Sequence, residues 1–149
     1  MQSTRTSHPA RVLAAHRFFA ELETVRSVVQ ATMVDLGAVL PDAAQRGEVE
    51  LVLAEVLNNV VEHAYRGSPK GIVQLTAMSG QNGIRFVIAD SGLAMPNAAI
   101  PDGAPADLGR APADLPEGGF GWSIIRQLAE DLQYRREDGV NYTSFQIVT

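Results

Sequence analysis

The sequence predicts an α+β two-layer sandwich: a mixed, mostly antiparallel sheet of about five strands covered on one face by three helices. Three observations carry this expectation. Apolar residues recur at i, i+3 and i+4 through two long stretches before residue 67 and a shorter one after Trp122, the mark of helices with one buried face. Strand-like runs flank turn residues at Asn82-Gly83 and again at Glu137-Asp138-Gly139, as hairpins require. The 149 residues, 46% hydrophobic and 19% charged, suffice for one soluble domain with a real core, so residues 1–149 are read as a single unit.

Composition also removes whole classes of function. Without cysteine there is neither a disulfide nor a thiolate metal site. A net charge of -5 argues against a nucleic-acid groove or an anionic membrane surface. The first residues lack the apolar run of a signal peptide and no stretch reaches membrane-spanning length, so a cytoplasmic address is expected.

Taken in order, residues 1–10 are polar and expected to fray. Arg11 to Phe19 reads as a first strand with poor alternation, in which His16 is a tolerated strand residue. Leu22, Val25, Val28, Val29, Thr32, Met33 and Leu36 mark a first helix, with Gly37 as its C-cap. Pro41-Asp42 opens a second helix, which runs to Tyr65 or Arg66 and stops at Gly67-Ser68-Pro69. Ile72 to Met78 and Ile84 to Ala89 form a strand pair, the second more evenly apolar and suited to a central position. From Ser91 to Glu117 the chain holds most of its prolines and little periodicity. With parts of one core on either side, this stretch reads as a lid, over 94–117, rather than a domain boundary. A third helix from Trp122 to about Leu132 and two strands, Leu132 to Arg136 and Tyr142 to Val148, follow.

Three segments carry chemistry. In the second helix, a step of ~100° per residue puts Glu55, Asn59 and His63 in a row along one edge of the apolar stripe, with Asn58 and Glu62 nearer solvent. A carboxylate and a carboxamide there cost about 1–3 kcal/mol each if unsatisfied, so backbone, water or a ligand must compensate them. Asp90-Ser91-Gly92 stands where a strand runs into the lid. It is either a plain turn, or a place where Asp90 accepts from an exocyclic amine and Gly92 lets backbone approach a flat ring. Gly118-Gly119-Phe120-Gly121 opens the third helix, whose free N–H groups and dipole suit an anion. Neither GxxxxGK[ST] nor a βαβ GxGxxG is present.

The order Glu-x-x-x-Asn on a helix, Asp-x-Gly at a strand end, long lid, Gly-Gly-x-Gly at a helix start resembles the GHKL superfamily with its Bergerat ATP-binding fold. Within it, the chain is similar to the bacterial anti-sigma factor serine/threonine protein kinases. The likeness runs from about Arg11 and takes in Glu117 to Gly121 and Tyr134-Arg135-Arg136-Glu137-Asp138-Gly139-Val140-Asn141. It implies that Asn59 holds the Mg²⁺ bridging the ATP phosphates, that Glu55 is the general base, and that Asp90 with Gly92 binds adenine. It also implies that Gly119, Phe120 and Gly121 form the phosphate-facing turn. The family usually has a second glycine where Ala94 stands; if that position needs positive φ, alanine costs on the order of 1 kcal/mol. Arg110, the one cation between Asp90 and Gly121, is a phosphate contact or a solvated loop arginine. Ser123 bonds a phosphate or merely caps the helix. His63 completes helix packing, and Trp122 packs at the base of the lid.

The resemblance implies an ATP-dependent serine/threonine kinase that binds a sigma factor and phosphorylates a STAS-domain anti-anti-sigma protein, with homodimerisation common in the family. The alternative is a module of the same fold that sequesters a partner but transfers phosphate poorly. Ala94 and the cation-poor lid favour the alternative; Glu55 with Asn59 disfavours it. A sensor histidine kinase would carry a dimerising helix pair with a phosphoacceptor His before this helix, and a repair or topoisomerase ATPase would come with further domains.

Overall fold

The computed structural model describes residues 10–66, 71–101 and 119–149, with side chains from residue 121 onward in the last stretch. The expectations for residues 1–9, for the Gly67-Ser68-Pro69 stop, for lid residues 102–117 with Arg110 and Glu117, for Gly118 of the glycine turn, and for the Phe120 side chain lie outside these residues.

Among the described residues nine elements follow one another: β1 (Val12–Phe19), α1 (Leu22–Asp35), α2 (Ala43–Ala64), β2 (Ile72–Ser79), β3 (Gly83–Asp90), a 3-10 turn (Pro96–Ala98), α3 (Gly119–Leu128), β4 (Glu130–Glu137) and β5 (Val140–Val148). The strands form one sheet in the order β1-β2-β3-β5-β4, and all four ladders are antiparallel. The three helices share one core with the inward rows of the sheet, giving the two layers expected. Strand alternation places Val73, Leu75 and Ala77 of β2 and Ile84, Phe86 and Ile88 of β3 against Val49, Val52, Leu53, Val56 and Leu57 of α2 in that core.

Local chemistry explains most boundaries. Asp42 caps α2, its carboxylate accepting from the Ala44 N–H at 2.8 Å and the Gln45 N–H at 3.4 Å. The poor alternation of the first strand has a cause: its register against β2 shifts between Val12 and Ala14, a bulge that resets which side chains face inward. His16 there bonds Asp35 at the end of α1 at 2.8 Å. The C-cap of α1 is Leu36, in right-handed geometry, and Gly37 takes no left-handed φ, so the expected glycine cap does not form. At the other end of the chain, α3 starts at Gly119 and stops at Leu128, earlier at both ends than its periodicity suggests. Asp131 takes φ 50°, and the β4–β5 register shifts between Glu130 and Gln133, so Leu132 belongs to a bulged strand and not to the helix. Asp138 (φ 51°) and Gly139 (φ 77°) supply the left-handed pair that a two-residue hairpin turn needs.

Candidate functional site

The rows that build the core change chemistry at one end of the sheet. Inward positions run Ile84, Phe86, Ile88, Asp90 on β3 and, beside them, Ile147, Phe145, Thr143, Asn141 on β5. The last residues of each row are polar yet still buried, Asp90 at 4% exposure and Asn141 at 2%. A cavity of about 450 Å³ opens over this end, and Asn59, His63, Asp90, Ala94, Trp122 and Asn141 are among the residues that line it.

Asp90 Oδ1 accepts from the Gly92 N–H at 3.0 Å and from Asn141 Nδ2 at 2.8 Å. Both bonds go to one oxygen, so Oδ2 is left without a protein partner among the described residues. Burial strips water from the carboxyl and raises its pKa; the bonds from Asn141 and Gly92 and the Arg136 charge pull the other way. The result is an acceptor aimed from a wall of a largely apolar cavity, which suits the amine edge of a flat heterocycle. Gly92 is pressed against the end of α2. A Cβ there would lie 2.3 Å from the Ala64 carbonyl oxygen, which also accepts from the Leu93 N–H at 2.8 Å. The space a side chain would need at Gly92 is filled by the end of α2.

A second group assembles where α2 meets the start of α3. Glu55 is half-buried and Asn59 is 5% exposed, one turn apart as the periodicity predicts. Asn59 Nδ2 is fully buried with no hydrogen-bond partner among the described residues, so the compensation that the sequence calls for does not come from those residues. A Cβ on Gly121 would come within 2.6 Å of Glu55 Oε2, 3.2 Å of Asn59 Nδ2 and 3.6 Å of Asn59 Oδ1. Only a glycine brings the first turn of α3 this close to both groups. The pair offers the kind of donors that Mg²⁺ favours, a carboxamide oxygen one helical turn from a carboxylate. These residues fit the ion.

Four other sequence expectations meet the structure unevenly. Ala94 lines the cavity but has no positive φ, so alanine carries no backbone strain there. Ser123 sits four residues into α3, which excludes a capping role, and it is not among the residues lining the cavity. His63 does not complete helix packing: it is exposed and lines the cavity, because the row from Glu55 through Asn59 opens onto that space at the end of α2. Trp122 is 3% exposed and forms part of the cavity wall.

Sequence reasoning did not single out four residues that hold the site together. Tyr65, the C-cap of α2, donates from its hydroxyl to the Ile72 carbonyl at 2.8 Å and accepts from the Ser91 N–H at 2.7 Å, tying α2, β2 and the segment after Asp90. Tyr134 and Arg136 on β4 and Asn141 on β5 hold residues 92–95 from the other side. The two-residue turn at Asp138-Gly139 is a readable signal for the last three, since it pairs Glu137 with Val140 and hence Arg136 with Asn141.

Residues 18–147 match the histidine kinase-like ATPase domain family. The chain is similar to an anti-sigma F factor of Bacillus cytotoxicus, 25% identical over 77% of each protein. It is 32% identical to the serine/threonine-protein kinase BtrW of Bordetella bronchiseptica, over 67% of this chain and 68% of that one. A serine-protein kinase RsbW of Bacillus mycoides is 24% identical over 62% of this chain and 58% of its own. Together with the motif order and the antiparallel sheet, these matches place the chain in the histidine kinase-like ATPase (GHKL) superfamily, among the anti-sigma factor serine/threonine kinases.

Proposed function

We propose that this protein is an ATP-dependent serine/threonine kinase that also acts as an anti-sigma factor, phosphorylating a serine of a STAS-domain anti-anti-sigma protein in a cytoplasmic partner-switching circuit. The single observation that carries the reading is the meeting of Glu55 and Asn59 with Gly121 at one part of the site while Asp90 waits at another. That its relatives include an anti-sigma F factor and serine or serine/threonine-protein kinases supports a sigma factor as partner and a serine as acceptor.

In this reading Asp90 Oδ2 accepts from the 6-amine of adenine, and the first turn of α3 from Gly119 to Gly121 faces the phosphates with its free N–H groups. Asn59 Oδ1 would hold Mg²⁺, which supplies charge stabilisation for the phosphates when bound. Glu55 orients the acceptor serine and takes its hydroxyl proton as Oγ bonds to the γ-phosphorus and the bond from that phosphorus to ADP breaks. Arg110 is the proposed further phosphate contact. Of the two features that favour a binding module without kinase activity, Ala94 no longer counts, since its backbone is unstrained.

The test is transfer of radiolabel from ATP to the STAS partner. The wild-type protein should label the partner serine, Glu55→Ala should keep ATP binding but lose labelling by about a hundredfold or more, and Asn59→Ala should lose Mg·ATP binding by calorimetry. A wild-type protein that binds ATP and the sigma factor yet labels nothing would leave the binding module as the correct reading.

A further inference from the structure

At the polar end of β5 stands one residue whose polar atoms are all engaged. Asn141 Nδ2 donates to Asp90 Oδ1 and to the Leu93 carbonyl, each at 2.8 Å, with the Gly92 carbonyl at 3.4 Å. Its Oδ1 accepts from the Tyr134 hydroxyl at 2.5 Å and from Arg136 Nη1 at 2.8 Å. A carboxamide has two N–H donors and two lone pairs on oxygen, so this one is saturated by protein and has nothing left for a ligand.

The partners are of two kinds. Asp90 is the proposed acceptor for the base. The others belong to the segment leaving β3: Arg136 Nη1 donates to the Gly92 carbonyl at 2.9 Å, and the Tyr134 hydroxyl accepts from the Met95 N–H at 3.1 Å. Register produces this convergence. Asn141 is opposite Asp90 on one side and opposite Arg136 on the other, so a single row crosses three strands, and Tyr134 stands two residues back from Arg136 on the same face.

From this saturation and bridging we infer that Asn141 is a positioning residue: it fixes which carboxylate oxygen Asp90 offers to the base and ties that orientation to the backbone of residues 92–95, with Tyr134 and Arg136 as its anchors. The inference rests on the proposed reading of the cavity as an ATP site. A residue that only satisfied buried polar atoms would affect stability and leave base discrimination alone. A positioning residue must change discrimination, because a carboxylate held by the Gly92 N–H alone no longer keeps an acceptor at the fixed place and angle that a 6-amine needs.

Equilibrium binding of ATP and of inosine triphosphate to the full chain separates these cases. Inosine carries a 6-oxo group, an acceptor facing an acceptor, so the wild-type protein should bind ATP more tightly. Asn141→Ala should cut the ATP/inosine preference about tenfold, the scale of one hydrogen bond to a charged group. In an Asp90→Asn background the same change should alter the preference no further, since the two act as a unit. Tyr134→Phe removes only the hydroxyl and should shift the preference in the same direction by about threefold; it carries the test if Asn141→Ala does not fold. A preference unchanged in both variants, or in Tyr134→Phe alone where Asn141→Ala is unfolded, overturns the inference and leaves the ATP reading standing. A wild-type protein that binds neither nucleotide overturns both.

Discussion

Along the β3–β5 ladder, Phe86 faces Phe145 in one half and Asp90 faces Asn141 in the other, and all four side chains are buried. The aromatic pair stacks with ring centroids 5.1 Å apart and gains free energy simply by leaving water. The polar pair loses hydration and recovers it only through a net of bonds that leaves Asp90 Oδ2, Asn59 Nδ2 and Thr143 Oγ1 without protein partners among the described residues. One backbone pattern thus supports a half that stabilises the fold and a half that gives up stability to keep atoms available. Unsatisfied groups concentrated at one end of an otherwise well-packed core mark where a ligand belongs.

Substitutions on each side of this divide should fail in different ways. Phe86→Ala should have the largest effect on stability, about 3–5 kcal/mol by urea unfolding, because it opens a cavity at a fully buried position. Asp90→Asn should do the reverse. Its folded pKa is raised by burial, so its contribution to stability is greatest in acid and is lost as pH rises through that value. The neutral amide should therefore match or exceed the wild-type melting temperature at pH 7 while weakening ATP binding about tenfold or more. In the wild-type protein, ATP affinity should fall on acidification at a pH above the ordinary aspartate range, and this dependence should flatten in Asp90→Asn. Gly121→Ala should disturb stability least, since alanine favours a helix over glycine by about 0.5–1 kcal/mol. Its Cβ would push into Glu55 and Asn59, so phosphotransfer should drop in the label assay while the unfolding midpoint holds or rises.

What could be read from the sequence follows the range of the interactions involved. The helices, the hairpin turns and the spacing of Glu55 to Asn59 are local, and periodicity located them. Where the period breaks, reading failed: the bulge after Val12 blurred the first strand, and the one after Glu130 let Leu132 pass for helix. The roles of Asn141, Tyr134 and Arg136 are not legible in the sequence, because their meeting depends on cross-strand register that no single segment carries. His63 was placed on the right row of α2, yet its exposure depends on where the neighbouring layers end. The backbone angle of Ala94, which decides whether alanine is strained there, is fixed by the fold and carries no positive φ.

The hairpin turn at Asp138-Gly139 has a consequence for how the protein matures. Side chains alternate along a strand, so slipping this turn by one residue would put Arg136 and Asn141 on opposite faces of the sheet. A nascent chain already carries Glu55, Asn59 and Gly121 when residue 121 clears the ribosome, yet the proposed base acceptor Asp90 lacks its Asn141 partner until β5 has zipped onto β3 in the correct frame. On the proposed reading, selective nucleotide binding is acquired last, and it would report that the closing hairpin has formed in register.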